Sequence, residues 1–148
     1  MTIYPRPMIY YFDGTSYITL RFPDKTAYQF SIEEQAKAIY NETLDGNLEM
    51  DYLGDIYIIK FQITGINEFS NDWFNWYSFI DLIRKGTLFD FYPAFEPPSG
   101  YNRPFNYHKA YLSCVIKNPK HENARYENIS GRWSVYVEAQ TGTGNYID

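Results

Sequence analysis

Cysteine and histidine are nearly absent: the 148 residues hold one Cys, Cys114, and two His, His108 and His121. A single cysteine closes no internal disulfide, so nothing here demands an oxidising compartment. Neither histidine stands at a spacing typical of zinc sites, and no cysteine pair supports one. No apolar run approaches the roughly 20 residues that cross a bilayer, so membrane insertion is not expected. The first residues, Met1 to Pro7, show neither the positive stretch nor the apolar stretch of a secretion leader, which sets cytosolic synthesis as the expectation. There is no Gly-rich phosphate loop, no G-x-S-x-G elbow and no dinucleotide fingerprint. Repeats of solenoid or propeller length are missing too. With no positive signal for catalysis, the expectation is a non-enzymatic protein with no metal and no cofactor.

Positive charge is also scarce. The formal net charge is −5, and it is unevenly spread: residues 1–100 hold 7 Lys/Arg against 14 Asp/Glu, while residues 101–148 hold 6 against 4. Binding to nucleic acid is dominated by phosphate neutralisation, so a net acidic chain is not expected to read nucleic-acid sequence. The asymmetry fits contacts in which the acidic part of one subunit meets the basic part of the next, around Lys117, Lys120, Arg125 and Arg132.

What the chain has in excess is aromatic residues: 16 Tyr, 11 Phe and 3 Trp. Strands accommodate such side chains, and tyrosine suits half-buried surfaces and interfaces. Met8–Phe12 and Tyr17–Phe22 flank the turn Asp13-Gly14-Thr15-Ser16, which predicts a hairpin with Ile18, Leu20 and Phe22 on one face. Ser31 and Glu34 match a capping box, which predicts a short helix over 32–41. Residues 42–54 read as an acidic connection with a weak strand at 48–52. In Asp55–Ile66, Tyr57, Ile59, Phe61 and Ile63 alternate with polar neighbours in a half-buried strand that ends or bulges at Gly65. Trp73, Trp76, Tyr77, Ile80 and Ile83, widened by Phe79 and Leu82, form the apolar stripe of a helix over about 70–85. Ser70 caps that helix and Gly86 stops it.

Further on, Phe89 and Phe91 share a strand face. Residues 93–104 hold four prolines and form a long irregular loop. His108–Lys117 predicts a strand with His108, Ala110, Leu112, Cys114 and Ile116 inward. Residues 118–130 read as polar connection, Gly131–Ala139 as the last strand, and 140–148 as a loose tail. The whole is one domain, residues 1–148: a mainly β (α+β) fold, with a β-sandwich or partly open barrel of about six to eight antiparallel strands flanked by one amphipathic helix.

Chemistry is hard to find in this pattern. Cys114 and His108 share a predicted face, but six residues of strand part their Cα atoms by about 20 Å, which excludes a dyad. Asp45, Glu49, Asp51 and Asp55 cluster without the spacing of a calcium loop and read as a solvated acidic segment. Aromatic display beside the stiff loop stands out, and it makes Phe95, Tyr101, Arg103, Phe105 and Tyr107 the candidate interface residues.

The strand 56–66, the Trp-rich helix 73–84, the run Gly86-Thr-Leu-Phe-Asp-Phe-Tyr-Pro93 and the closing strand Gly131–Glu138 together resemble small tail proteins of tailed bacteriophages. That family comprises tail-tube, tail-completion and distal-tail or baseplate proteins. The resemblance implies a virion structural protein, made in the host bacterial cytoplasm, that forms a homo-oligomeric ring, commonly sixfold, with its own copies and other tail proteins as partners. It implies no catalytic residues. An acidic surface suits a conduit that must not bind the DNA passing through it. The alternative reading is a carbohydrate-binding or receptor-binding module using exposed Tyr and Trp; an enzyme of another type is a weaker third.

Overall fold

The computed structural model describes residues 7–23, 28–67, 69, 71–94, 108–117 and 124–147, without the side chains of Asn71 and Asp72. In chain order the elements are β1 (Met8–Phe12), β2 (Tyr17–Arg21), β3 (Tyr28–Glu42), β4 (Leu48–Ile66), α1 (Asn71–Ile83), β5 (Phe89–Tyr92), β6 (Ala110–Ile116), β7 (Ala124–Glu127), β8 (Arg132–Gln140) and β9 (Tyr146–Ile147). Hydrogen-bonded neighbours follow the order β2-β1-β5-β6-β8-β4-β3, with β7 on β8 and β9 on β6. Every one of these pairings is antiparallel. The sheet is not closed into a barrel, since among the described residues β2 and β3 end the path unpaired with each other. This is the expected mainly-β architecture with a flanking helix; among the described residues there are nine strands against the expected six to eight, because β7 and β9 carry no periodic signal of their own.

The first hairpin forms as expected. Asp13 Oδ1 accepts hydrogen bonds from the Thr15 and Ser16 amides, both at 2.8 Å. These amides hold the Asp13 carboxyl below its ordinary value. A depressed carboxyl contributes stability that is complete above about pH 4 and is lost as pH falls through its lower folded value. Titration followed by NMR is therefore expected to place the Asp13 midpoint below that of an unstructured aspartate, and Asp13→Ala is expected to shallow the acid limb of the stability curve.

The curl of the sheet comes from β6. Tyr111 pairs with Phe91 and Cys114 with Phe89, while Val115 and Ile116 pair with Gln140 and Ala139 of β8. Within the stretch paired to β5, just before the change of partner, the strand bulges at Ser113, whose φ is 53° and whose amide donates to Asp90 Oδ1 at 2.9 Å. A strand that bulges and then changes partners turns a corner between two packed halves. The bulge also corrects the expected alternation: Tyr111, expected to point outward, is fully buried together with Cys114, and Leu112 is only half-buried.

Inside the corner lies one apolar core. From one half come Ile9, Tyr11, Leu20, Phe22, Phe89 and Phe91; from the other Tyr57, Ile59, Phe61, Ile63, Val135 and Val137. Phe61 and Phe91 stack across the middle with ring centroids 6.0 Å apart. Helix α1 covers both halves. Trp76 meets Phe22 at 5.4 Å and Phe61 at 6.2 Å, Phe79 meets Tyr11 at 5.1 Å and Phe89 at 5.2 Å, and Trp73 stacks on Trp133 at 4.3 Å. The buried stripe is Trp76, Phe79, Ile80 and Ile83, whereas Tyr77 is exposed. The burial axis therefore sits slightly round the helix from the expected one, towards Phe79. At the C-terminus the Gly86 amide bonds the Ile83 carbonyl and the Thr87 amide that of Leu82, with Gly86 at φ 103°, the expected glycine stop.

Three further expectations need correction. The helix over 32–41 does not form: these residues are the middle of β3. Glu, Gln, Ala and Lys there favour a helix locally, but each of these residues pairs with β4, and that pairing overrides the propensity. The acidic connection 42–54 is instead a tight turn over 43–47 followed by the first third of β4. The tail is not loose. The Thr141 amide donates to the Tyr57 carbonyl, Gly144 to Asp55, and Lys109 and Leu112 to Ile147 and Asn145, while Thr141 Oγ1 accepts the Tyr57 amide in a buried bond of 3.0 Å.

A candidate assembly surface

The groups with chemical potential come first. His108 lies in a nest of tyrosines: its Nε2 is hydrogen-bonded to the Tyr57 hydroxyl at 2.7 Å, its ring stacks on Tyr146 at 4.0 Å, and its amide donates to the Tyr111 hydroxyl at 3.1 Å. The ring is a hydrogen-bonded packing group that fastens β9 to the body. Burial pushes the Tyr57 hydroxyl well above the ordinary tyrosine value. Cys114 is fully buried, and burial, followed by the charge of Asp90, pushes its thiol strongly up. A thiol held in its neutral form in an apolar setting is a packing group rather than a nucleophile. Among the described residues no group of three His, Cys, Asp or Glu is placed to hold a metal ion. No helix among them is long and apolar enough to cross a membrane.

The surface feature that distinguishes this molecule is the β3–β4 hairpin. Residues 28–32 and 57–63 belong to the core-covering sheet, but beyond Glu34 and Tyr57 the two strands carry on past the body to the turn at 43–47. Buried residues end at Tyr57, and almost every residue from Glu33 to Leu53 is exposed. This free ribbon, called the arm below, has two unlike faces. Paired residues share a face, as do alternate residues along one strand. The face continuous with Phe30, Ile32, Ile59 and Phe61 carries Ala38 opposite Tyr52, Tyr40 opposite Met50 and Glu42 opposite Leu48. The reverse face carries Lys37, Asn41, Glu49 and Asp51, with Ile39.

One irregularity sets this division. Lys37 pairs with Gly54 but Ala38 pairs with Tyr52, so Leu53 is an extra residue on β4. Gly54 adopts φ 126°, a conformation open to glycine and strained for other residues. The extra residue shifts β4 by one position. Without it Asp51 and Glu49 would face the same way as Phe61; with it Tyr52, Met50 and Leu48 do. The Tyr52 hydroxyl donates to the Asp55 carboxylate across the bulge, which pushes Tyr52 up to about 12.

The result is an apolar stripe in water. Tyr40 is 62% exposed, Leu48 70%, Met50 53% and Tyr52 56%, and Leu44 at the tip is fully exposed. Isolated two-stranded ribbons are marginal in water, and contiguous exposed apolar patches mark interaction surfaces. Charge is concentrated here as well. Residues 33–55 hold seven Asp/Glu and one Lys, a net of −6, which leaves the rest of the chain at +1.

Of the residues expected to form an interface, Phe95, Tyr101, Arg103, Phe105 and Tyr107 lie outside the described residues, as does His121. Asp45, Glu49, Asp51 and Asp55, expected in a solvated loop, stand on the arm: Glu49 and Asp51 on its polar face, Asp55 at its base and Asp45 in its turn. The sequence reading missed Tyr40, Leu48, Met50 and Tyr52 as surface features. The alternation Leu48-Glu-Met-Asp-Tyr52 carried the signal for the second strand. No signal in the 31–41 segment announced its partner.

Compared with known proteins, the chain matches no family model, and no curated protein is similar to it in sequence.

Proposed function

We propose that this protein is a non-enzymatic structural subunit that works by assembling with other protein chains through the β3–β4 arm. The single observation that carries this reading is the exposed apolar stripe of Tyr40, Leu48, Met50 and Tyr52 on a ribbon that has left its own core. A ribbon that is amphipathic along its free length is built to be covered. Within that class, the particular role we propose is a tail or baseplate ring subunit of a tailed bacteriophage. The open β body with one aromatic helix supports this reading, together with the order of strand, Trp-rich helix and F-x-F-Y-P run in the sequence.

Sedimentation velocity and native mass spectrometry across a range of concentrations test the assembly reading. The wild-type chain, alone or with other virion proteins, is expected in species larger than a monomer. Tyr40→Glu with Met50→Glu is expected to reduce that association at least about tenfold while leaving the circular dichroism spectrum unchanged. A chain that stays monomeric and ignores every virion protein argues against the proposal.

A second reading rests on the outer face of β1 and β2, where Tyr10 and Tyr17 stack at 5.2 Å and an interplanar angle of 5°, beside a depression of about 440 Å³ lined by Tyr10, Thr19 and Tyr92. Flat exposed tyrosines suit sugar rings. Saturable binding on a glycan array, lost in Tyr17→Ala, would favour a carbohydrate-binding module.

A further inference from the structure

The arm is one end of β4; the other end carries a second unusual surface. Ile66, the last residue of β4, pairs with Trp133 of β8. The Trp133 ring lies between Trp73 of α1 at 4.3 Å and Tyr126 of β7 at 5.4 Å, and Trp73 in turn touches Tyr77 at 5.7 Å. Tyr77 is 52% exposed and Tyr126 45%; Phe74, three residues before Tyr77 on α1, is 70% exposed, and Ile129, in the turn between β7 and β8, is 99% exposed. Arg125 and Arg132 stand on the reverse face of the β7–β8 ribbon, opposite Ser134 and Glu127. Aromatic residues packed on one another are what protein interfaces enrich.

We infer that this platform receives the arm of a second copy of the same chain. The inference rests on the reading of the arm as an assembly surface and adds its partner. Three features point to a second copy. The arm presents Tyr, Met and Leu to be buried, and the platform presents Trp, Tyr, Phe and Ile. The arm holds a net −6 over residues 33–55, whereas the β7–β8 ribbon behind the platform carries Arg125 and Arg132 against Glu127. Placement excludes a contact within one molecule. Leu48 and Ile66 are the two ends of one strand, roughly 50–60 Å apart at about 3.3 Å per residue. An arm that continues the very strand ending at the platform does not fold back onto it, so the contact is between molecules. Two different patches on each copy make a head-to-tail contact, which closes into a ring or runs on as a filament.

Complementation tests this. Tyr40→Glu with Met50→Glu disables the arm, and Phe74→Glu with Ile129→Glu disables the platform; all four side chains are exposed, so both proteins are expected to fold, as circular dichroism checks. Each variant alone is expected to be monomeric in sedimentation velocity, associating at least about tenfold more weakly than wild type. Mixed in equal amounts they are expected to form a 1:1 dimer and nothing larger, because one intact arm and one intact platform remain. If the arm variant is monomeric while the platform variant assembles like wild type, the platform assignment is overturned and the assembly reading survives. Failure of the mixture to pair overturns the head-to-tail contact. A wild-type chain that is monomeric by itself overturns the contact with a second copy, and one that also binds no other virion protein overturns the assembly reading.

Discussion

Trp76→Ala is expected to lower the unfolding free energy by about 3–5 kcal/mol, the cost of deleting a large aromatic ring from a packed core. Trp76 is 1% exposed and bridges the two halves of the curled sheet through Phe22 and Phe61. Its removal empties the place where the helix joins them, and neighbours drawn from three elements are poorly placed to collapse together. For a chain of this length the loss corresponds to a fall in melting temperature of about 10 °C or more. Asn75→Ala is the matched control: its side chain is exposed on the same helix, so a change within about 0.5 kcal/mol is expected. Chemical denaturation of both variants reads the result. Equal losses in the two would mean that the helix is packed in a different rotation.

Gly54→Ala is expected to be the most damaging small substitution in the β3–β4 hairpin. A Cβ on Gly54 would come within 2.3 Å of Thr143 Cγ2, and φ 126° is outside the range that alanine adopts without strain. Strain of this kind costs about 1–3 kcal/mol, and the steric share adds to it. Thr143→Ser removes the clashing methyl but leaves the backbone angle unchanged. Paired with Gly54→Ala, it is expected to restore part of the lost stability, and thermal unfolding of the four proteins of that cycle separates the two contributions. Complete restoration would show that the dihedral angle carries no cost. The substitution is also expected to weaken assembly beyond its effect on stability, because the same glycine keeps Tyr52 and Met50 in phase with Tyr40.

Much of the body was legible because its signals are periodic and local. Tyr57, Ile59, Phe61 and Ile63 alternate through one buried strand, Ile18, Leu20 and Phe22 through another, and Gly65 and Gly86 fall at the bulge and the helix stop they suggest. The errors have equally physical sources. Residues 32–41 combine a capping sequence with good helix formers, and their strand state is imposed by pairing with residues 48–59, a contact that periodicity does not register. Tyr111 was placed outward because a bulge at Ser113 resets the alternation, and that bulge depends on a side chain from another strand, Asp90. The last residues looked loose because their partners, Tyr57, Asp55, Lys109 and Leu112, are all distant in sequence. For the candidate site, the sequence showed acidity and a short alternation at 48–52 but not the ribbon that unites them. Its two faces exist only once the register and the Leu53 bulge are known.

The continuity of β4 has a mechanical consequence. Its 19 residues run from the tip of the arm to the edge of the Trp133 platform, paired with β3 over residues 48–63 and with β8 over residues 58–66. A pull applied at the arm and resisted at the platform acts along the strand axis, so the rungs linking it to its neighbours share the load in shear and do not break one after another. The short β9, held by two pairs to β6, has no such reserve and would peel first. Under tension the molecule behaves as a tie-rod with a detachable end.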